Sequence, residues 1–215
     1  NQAYDFIDRE QALAAVQSVE GSERGIIYFG TLAQRNERSR TTLHALFEAT
    51  GALRYLDLNL REGQFEERCV TRSLQAANIV KVNEEELQSL FGWYFQMEAD
   101  APALSAEEVH ASCGALLKMF SLDGLIVTLG HRGSVYFGAD GSVVMNRDNP
   151  APPFVIDTVG AGDAFSAIFL LGRMRDWPLA LTLARANEFA GAICAIPGAV
   201  PRDLGLYDQW MMKWR

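Results

Sequence analysis

Short apolar runs alternate with stretches of helical spacing along most of this 215-residue chain. Glu10 to Val19 places Leu13, Val16 and Gln17 on one side and predicts a helix. Gly25 to Gly30 is a compact apolar run closed by glycine and predicts a buried strand. Ser39 to Ala49 is amphipathic, with Leu43, Leu46 and Phe47 on one face. Leu53 to Leu58 predicts the next strand and Glu66 to Ala76 the next helix. Ile79 to Val82 reads as a short strand, followed by a helix from Glu84 to Phe91 whose acidic start suits the helix dipole. Ser105-Ala106-Glu107-Glu108 opens a helix running to about Phe120, and Leu125 to Leu129 predicts a strand. Ser134 to Phe137 and Val143 to Asn146 flank Ala139-Asp140-Gly141, a hairpin signal. Pro150 to Pro153 predicts a rigid lead-in to the β-prone run Phe154-Val155-Ile156. Helices follow over Gly162 to Leu171 and Leu179 to Ala195, with a short one after Asp203.

Strand alternating with helix implies an α/β fold, with a mainly parallel sheet covered on both faces. Ligands of such sheets sit beyond the carboxyl ends of the strands, so the polar residues after each strand are the candidates for chemistry. The chain carries no internal repeat and no low-complexity segment.

Composition narrows the possibilities. A chain 49% hydrophobic and 21% charged can build one core, and its length suits a single domain. The net charge of −8 argues against nucleic acid as a main partner. Cys69, Cys113 and Cys194 are scattered through helical patterns and suggest neither zinc nor a disulfide framework. They read as buried thiols of a reducing cytoplasm. No stretch is apolar for long enough to span a membrane. The opening Asn1-Gln2-Ala3-Tyr4-Asp5 has no initiator Met and reads like mid-protein sequence, so the chain is expected to be a fragment.

The chemistry centres on Asp157-Thr158-Val159-Gly160-Ala161-Gly162-Asp163-Ala164-Phe165. The run reads as strand, glycine turn and helix start. Free N–H groups at a helix start form an anion site, and Asp163 places a carboxylate beside it. A pure phosphate cradle avoids an acid there, and no G-x-x-x-x-G-K occurs. The dinucleotide fingerprint fails because its third small position falls on Phe165. An anion hole beside a base suits transfer of a phosphoryl group to a hydroxyl. The plain alternative is an aspartate near a helix N-cap.

The continuous string from Asp157 to Ala167 resembles the C-terminal signature of the PfkB family of carbohydrate kinases. The resemblance implies a three-layer α/β/α ribokinase-like fold with a mainly parallel sheet. It implies Asp163 as catalytic base, Gly160, Ala161 and Gly162 as anion hole, and ATP with Mg²⁺ as cofactors. Asp57-Leu58-Asn59-Leu60-Arg61 resembles the family's D-P-N-x-R segment, with Leu58 in place of Pro. If the strand geometry persists, Asp57, Asn59 and Arg61 point the same way. Arg61 would then lie near the transferring phosphate or the sugar, with Asp57 and Asn59 on the substrate side. Asn83 and Glu86 resemble the N-x-x-E element associated with magnesium and phosphate, although acids opening a helix have the same pattern. Thr128, Gly130 and Gly133 resemble the T-L-G-x-x-G segment beside the nucleotide, and Asn187 lies on a helix like the family's adenine-side helix. Asp157 and Val159, with Gly198 of Pro197-Gly198-Ala199-Val200-Pro201, resemble a monovalent-cation (K⁺) site. Arg202 stands where ribokinase has Ser and disfavours a cation. Thr31, after the first strand, falls where the family has G-S or G-T close to the sugar, and Gln34 and Arg35 follow it.

The resemblance covers the chain in order, as residues 1–215 of the C-terminal portion of one PfkB domain. The family's N-terminal βαβ region and its β lid, which commonly mediates dimer formation, have no counterpart here. Without them the chain is expected to bind nucleotide weakly and to have little sugar kinase activity. The implied function is ATP-dependent phosphorylation of a sugar hydroxyl, fructokinase-like or ribokinase-like. A nucleoside kinase of the same family and a non-catalytic sugar- or nucleotide-binding relative stand as alternatives.

Overall fold

A computed structural model describes residues 2–18, 25–97, 105–147 and 154–214. Strands β1 (Ile26–Phe29), β2 (Leu53–Asp57), β3 (Ile79–Asn83) and β4 (Gly124–Thr128) pair in parallel. Their register sets Tyr28 opposite Tyr55, Asp57 opposite Lys81, and Asn83 opposite Thr128. With β5 (Ser134–Gly138) and β6 (Val143–Asn146) they form a six-stranded sheet in chain order. The helices are α1 (Arg9–Gln17), α2 (Glu37–Ala49), α3 (Glu67–Ala76), α4 (Glu84–Phe95), α5 (Ala106–Phe120), α6 (Ala161–Met174), α7 (Leu179–Cys194) and α8 (Gly205–Lys213). This is the mainly parallel α/β arrangement that the alternation of patterns predicts.

The chain divides into two compact units. The first comprises Asn1–Thr128 and Val135–Val143, the second Leu129–Ser134 and Val144–Arg215. In the first unit the strands carry side chains that are buried on both faces. Tyr55, Leu56, Val80, Val82 and Ile126 are fully enclosed, as expected of parallel strands sandwiched by helices. Helix α3 turns Cys69, Val70, Ser73 and Leu74 inward, a stripe at helical spacing. Asn78 fastens the amino ends of the sheet: its side-chain oxygen accepts from Arg54 N (3.0 Å) and its carbonyl from Asp123 N (2.8 Å). The hairpin closes as Gly138 N donates to Ser142 O (2.8 Å), with Gly141 at φ 82°.

In the second unit α6 and α7 form a helical hairpin around Gly172 and Thr182. A Cβ on Gly172 would fall 2.5 Å from the Thr182 methyl. Thr182 is itself fixed by donating from Oγ1 to Pro178 O (3.1 Å). Helix α8 docks through an aromatic cluster in which the Phe189 ring lies 5.6 Å from Trp210 and 6.0 Å from Trp214. The Arg185 guanidinium stacks 4.1 Å over Trp177 and faces Trp214 at 5.7 Å.

Several boundaries differ from the sequence reading. Helix α2 starts at Glu37 rather than Ser39, because the Asn36 side chain accepts from Arg38 N (3.0 Å) and caps it. Helix α4 continues past Phe91 to Phe95, where Tyr94 is held by Thr71 (2.8 Å) and by the Phe120 ring at 5.0 Å. Strand β2 stops at Asp57, one residue before the predicted Leu58, and β4 stops at Thr128 rather than Leu129. Helix α6 is longer at both ends than Gly162 to Leu171. Phe154, Val155 and Ile156 are not a strand: they are 58%, 62% and 56% exposed. Among the described residues, the backbone tie of this segment is to α7, where Ile156 N and the following Asp157 N both reach Cys194 O (2.8 and 3.3 Å). Cys69 and Cys113 are buried as expected, whereas Cys194 is half-buried. Val19 and the Pro150 to Pro153 lead-in lie outside the described residues.

Candidate active site

The glycine turn belongs to the second unit. Gly160 adopts φ 82°, a left-handed conformation that favours glycine. A Cβ there would also lie 2.6 Å from the Ala199 Cβ and 2.7 Å from its Cα. Both the backbone angle and the space therefore demand glycine. Asp157 builds the approach to the turn: its Oδ1 accepts from Val159 N (2.9 Å) and its Oδ2 from Gly198 N (3.2 Å). One carboxylate thus fastens the turn to the Pro197–Pro201 loop. Ala161 N is satisfied by Thr158 O (3.2 Å), while Gly162 N–H has no partner among the described residues. Asp163 follows in the first turn of α6, with its side chain at the exposed surface while Ala164, Phe165 and Ser166 turn inward. The sequence pattern thus places an acid and an unspent backbone donor side by side on a rigid helix start.

Two further groups belong to this unit. The segment Leu129–Gly133 is a tight turn in which Leu129 N donates to Gly133 O (2.8 Å) and Gly133 N to Gly130 O (3.1 Å). Gly130 (φ 60°) and Gly133 (φ 97°) supply the left-handed steps. Asn187 of α7 is fully engaged as a donor: its amide nitrogen gives to Ser134 Oγ (2.8 Å) and to Asn146 Oδ1 (2.9 Å). It ties the ends of the hairpin strands to the helix.

The remaining candidates sit in the first unit, at the carboxyl ends of β1 to β4. Thr31 is buried and donates from Oγ1 to Leu58 O (3.0 Å). Thr128 donates from Oγ1 to Val82 O (3.3 Å). Asp57, Asn59 and Arg61 do not share one direction. Asp57 is buried and its oxygens receive Lys81 Nζ at 2.9 Å each, with Tyr28 OH at 3.3 Å. Asn59 has φ 43°, which breaks the extended alternation, and Arg61 projects from an exposed loop. The Arg61 guanidinium has no protein partner among the described residues.

Asn83 and Glu86 form a reciprocal cap on α4. Asn83 Oδ1 accepts from Glu86 N (2.8 Å), and Glu86 Oε2 accepts from Asn83 N (2.9 Å). Glu86 Oε1 accepts from Leu60 N (2.8 Å), so this acid also fixes the loop that carries Arg61. Burial pushes the Glu86 carboxyl up, opposed by the backbone N–H groups of Asn83 and Leu60. These oxygens face the backbone and do not fit direct ligation of Mg²⁺. Among the described residues no group of three or more His, Cys, Asp or Glu could hold a metal ion.

Lys81 is the residue that pattern reading passed over. It is 6% exposed and forms a buried ion pair with Asp57. The signal was present as two opposite charges at facing positions of neighbouring strands.

A parallel sheet with candidates at its strand ends, followed by a glycine turn and an acid at a helix start, is a ribokinase-like α/β arrangement. The chain belongs to the pfkB family of carbohydrate kinases, whose description matches residues 8–202. It is 32% identical over 195 residues to fructokinase-1 of Zea mays, covering 82% of this chain and 54% of that protein. It is 45% identical over 71 residues to fructoselysine 6-kinase of Shigella flexneri, covering 33% of this chain and 24% of that protein. The fructokinase of Vibrio cholerae O395 with fructose, ADP and calcium ion bound superposes with a TM-score of 0.68 at 25% identity, covering 95% of this chain and 64% of that chain. The chain thus spans about half the length of the maize relative it matches. Among the described residues no helix is long and apolar enough to cross a membrane.

Proposed function

We propose that this chain is part of an ATP-dependent kinase that phosphorylates a sugar hydroxyl. The observation that carries the reading is Asp163 at the exposed first turn of α6, next to the unspent N–H of Gly162, behind a turn only glycine can make. The Asp163 carboxylate takes the proton of the acceptor hydroxyl as its oxygen attacks the γ-phosphorus of ATP. A P–O bond forms to the sugar, the bond to the ADP oxygen breaks, and the charge leaves with ADP. The N–H groups at the start of α6 meet charge developing on the phosphoryl oxygens. Arg61 offers an unpaired fork of donors for a phosphate or sugar oxygen.

The nucleotide side of this reading is the Leu129–Gly133 turn with Thr128. Asn187 acts there by holding the hairpin ends in place. The sugar side is the strand-end group of Thr31, Asn59 and Arg61, with Asp57 setting the β2 end through Lys81. Magnesium would reach Asn83 and Glu86 only through water, where it would neutralise phosphate charge. A K⁺ ion would depend on carbonyls near Val159 and Gly198, since the Asp157 oxygens already hold two N–H groups. Likeness to fructokinase over 195 residues supports a ketohexose acceptor rather than a nucleoside.

In the protein as its gene encodes it, Asp163→Asn should lower turnover of fructose by at least about a thousandfold while ATP still binds. Steady-state kinetics with calorimetric ATP titration measures both. Turnover within a few-fold of wild type refutes the base assignment, and faster phosphorylation of adenosine than of fructose refutes the acceptor class.

A further inference from the structure

The first unit holds a cavity of about 390 Å³ at the carboxyl ends of β1 and β2. That volume is in the range of small-molecule sites. Its lining comes from Asp5 ahead of α1, the turn after β1, the first turn of α2, the loop after β2 and the start of α3. Its acceptors are largely spent within the protein. Asp5 Oδ1 receives Arg35 Nε (2.8 Å), and Oδ2 receives Arg35 Nη2 (2.8 Å) and Gln2 N (2.8 Å). The Arg35 guanidinium beside it holds the Asp5 carboxyl at about 2, so this pair stays ionised and cancels its own charge. Gln64 Oε1 accepts from Arg35 Nη1, and Asn36 Oδ1 from Arg38 N (3.0 Å). The Gln34 carbonyl accepts from Arg40 Nη1 (3.0 Å).

Donors are left over. The rest of the Arg40 fork, the Gln64 amide nitrogen and the Asn36 amide nitrogen have no protein partner among the described residues. Arg40 lies close enough to Cys69 on the lining to favour its thiolate, against the burial that pushes that thiol up. Arg40 itself lines the cavity. The opposing charge is Glu66, an exposed acid before α3. A pocket whose acceptors other than the Glu66 carboxylate are largely spent, with spare donors around an arginine, selects a ligand rich in acceptors.

We infer that this cavity binds a small oxyanion, a carboxylate or a phosphate group, with Arg40 as its principal partner and the Gln64 and Asn36 amides beside it. The inference does not rest on the kinase reading, because binding is measured without turnover. The test is calorimetric titration of this chain with D-gluconate and with inorganic phosphate. Gluconate alone binding identifies a carboxylate site and phosphate alone a phosphate site. Either affinity should fall at least about tenfold in Arg40→Gln and several-fold in Arg40→Lys, which keeps the charge but loses the planar fork. Absence of binding by both anions, or equal affinity in a folded Arg40→Gln protein, overturns the inference. Should Arg40→Gln not fold, alkylation of the wild-type chain followed by peptide mass spectrometry decides. The bound anion should slow modification of Cys69 several-fold and leave Cys194 unchanged. No slowing at Cys69, or equal slowing at both thiols, overturns the inference.

Discussion

Single residues carry the contrast between holding and reacting at the strand ends. Asp57 and Glu86 are acids of similar chemistry, yet each is turned into the protein by its partners: Lys81 for one, two backbone N–H groups for the other. Asp163 alone among the candidate acids combines the exposed surface with a helix start. The Asp57–Lys81 pair is buried, so removing one member strands a charge in apolar surroundings. Lys81→Met should therefore cost about 3–5 kcal/mol, whereas Asp57→Leu with Lys81→Met should recover most of the loss. Urea unfolding of the three proteins checks this, and a loss in the single variant no larger than in the double would show the pair to be dispensable.

Elements were legible where hydrophobic period and capping chemistry agreed. The four parallel strands and α3 followed from apolar runs and spacing. Helix α2 started early because Asn36 offered a better cap than the sequence pattern revealed. Phe154-Val155-Ile156 failed as a strand because β-propensity describes fit to a neighbouring surface. Among the described residues, its ordered contact is one α7 carbonyl. The α6–α7 hairpin shows how tightly an element pair can be specified. Thr182 is β-branched and held by its own hydrogen bond, so it cannot swing away from a new methyl at position 172. Gly172→Ala should destabilise the protein by roughly 1–3 kcal/mol through overpacking, despite the better helix propensity of alanine. Thermal unfolding measures this, and an unchanged or raised midpoint would show that the hairpin has slack.

At the scale of the whole molecule, the two units divide the proposed labour. Most residues assigned to the nucleotide and the phosphoryl group lie in the second unit, and those assigned to the sugar lie in the first. Hydrogen exchange on the complete protein should register this division. ATP with a magnesium salt is expected to slow exchange in peptides covering 129–134 and 157–163. Fructose alone is expected to slow exchange in peptides following β1 and β2. ATP protection confined to the first unit would contradict the assignment. Motif reading supplied both sets, but it left out how each set is braced. Lys81 behind Asp57, and Glu86 behind the Arg61 loop, depend on strand register and chain reversal that no local spacing encodes.

The close approach of Ala199 to Gly160 has a consequence for how this protein can vary. Position 160 cannot accept a side chain while Ala199 stays where it is, and the left-handed angle there leaves glycine little choice. Ala199 is exposed, yet its Cα and Cβ fill the space that a side chain at 160 would need, although nothing in its own chemistry is special. A residue that looks like loop filler thus forms the wall that keeps side chains out of the turn beside Asp163.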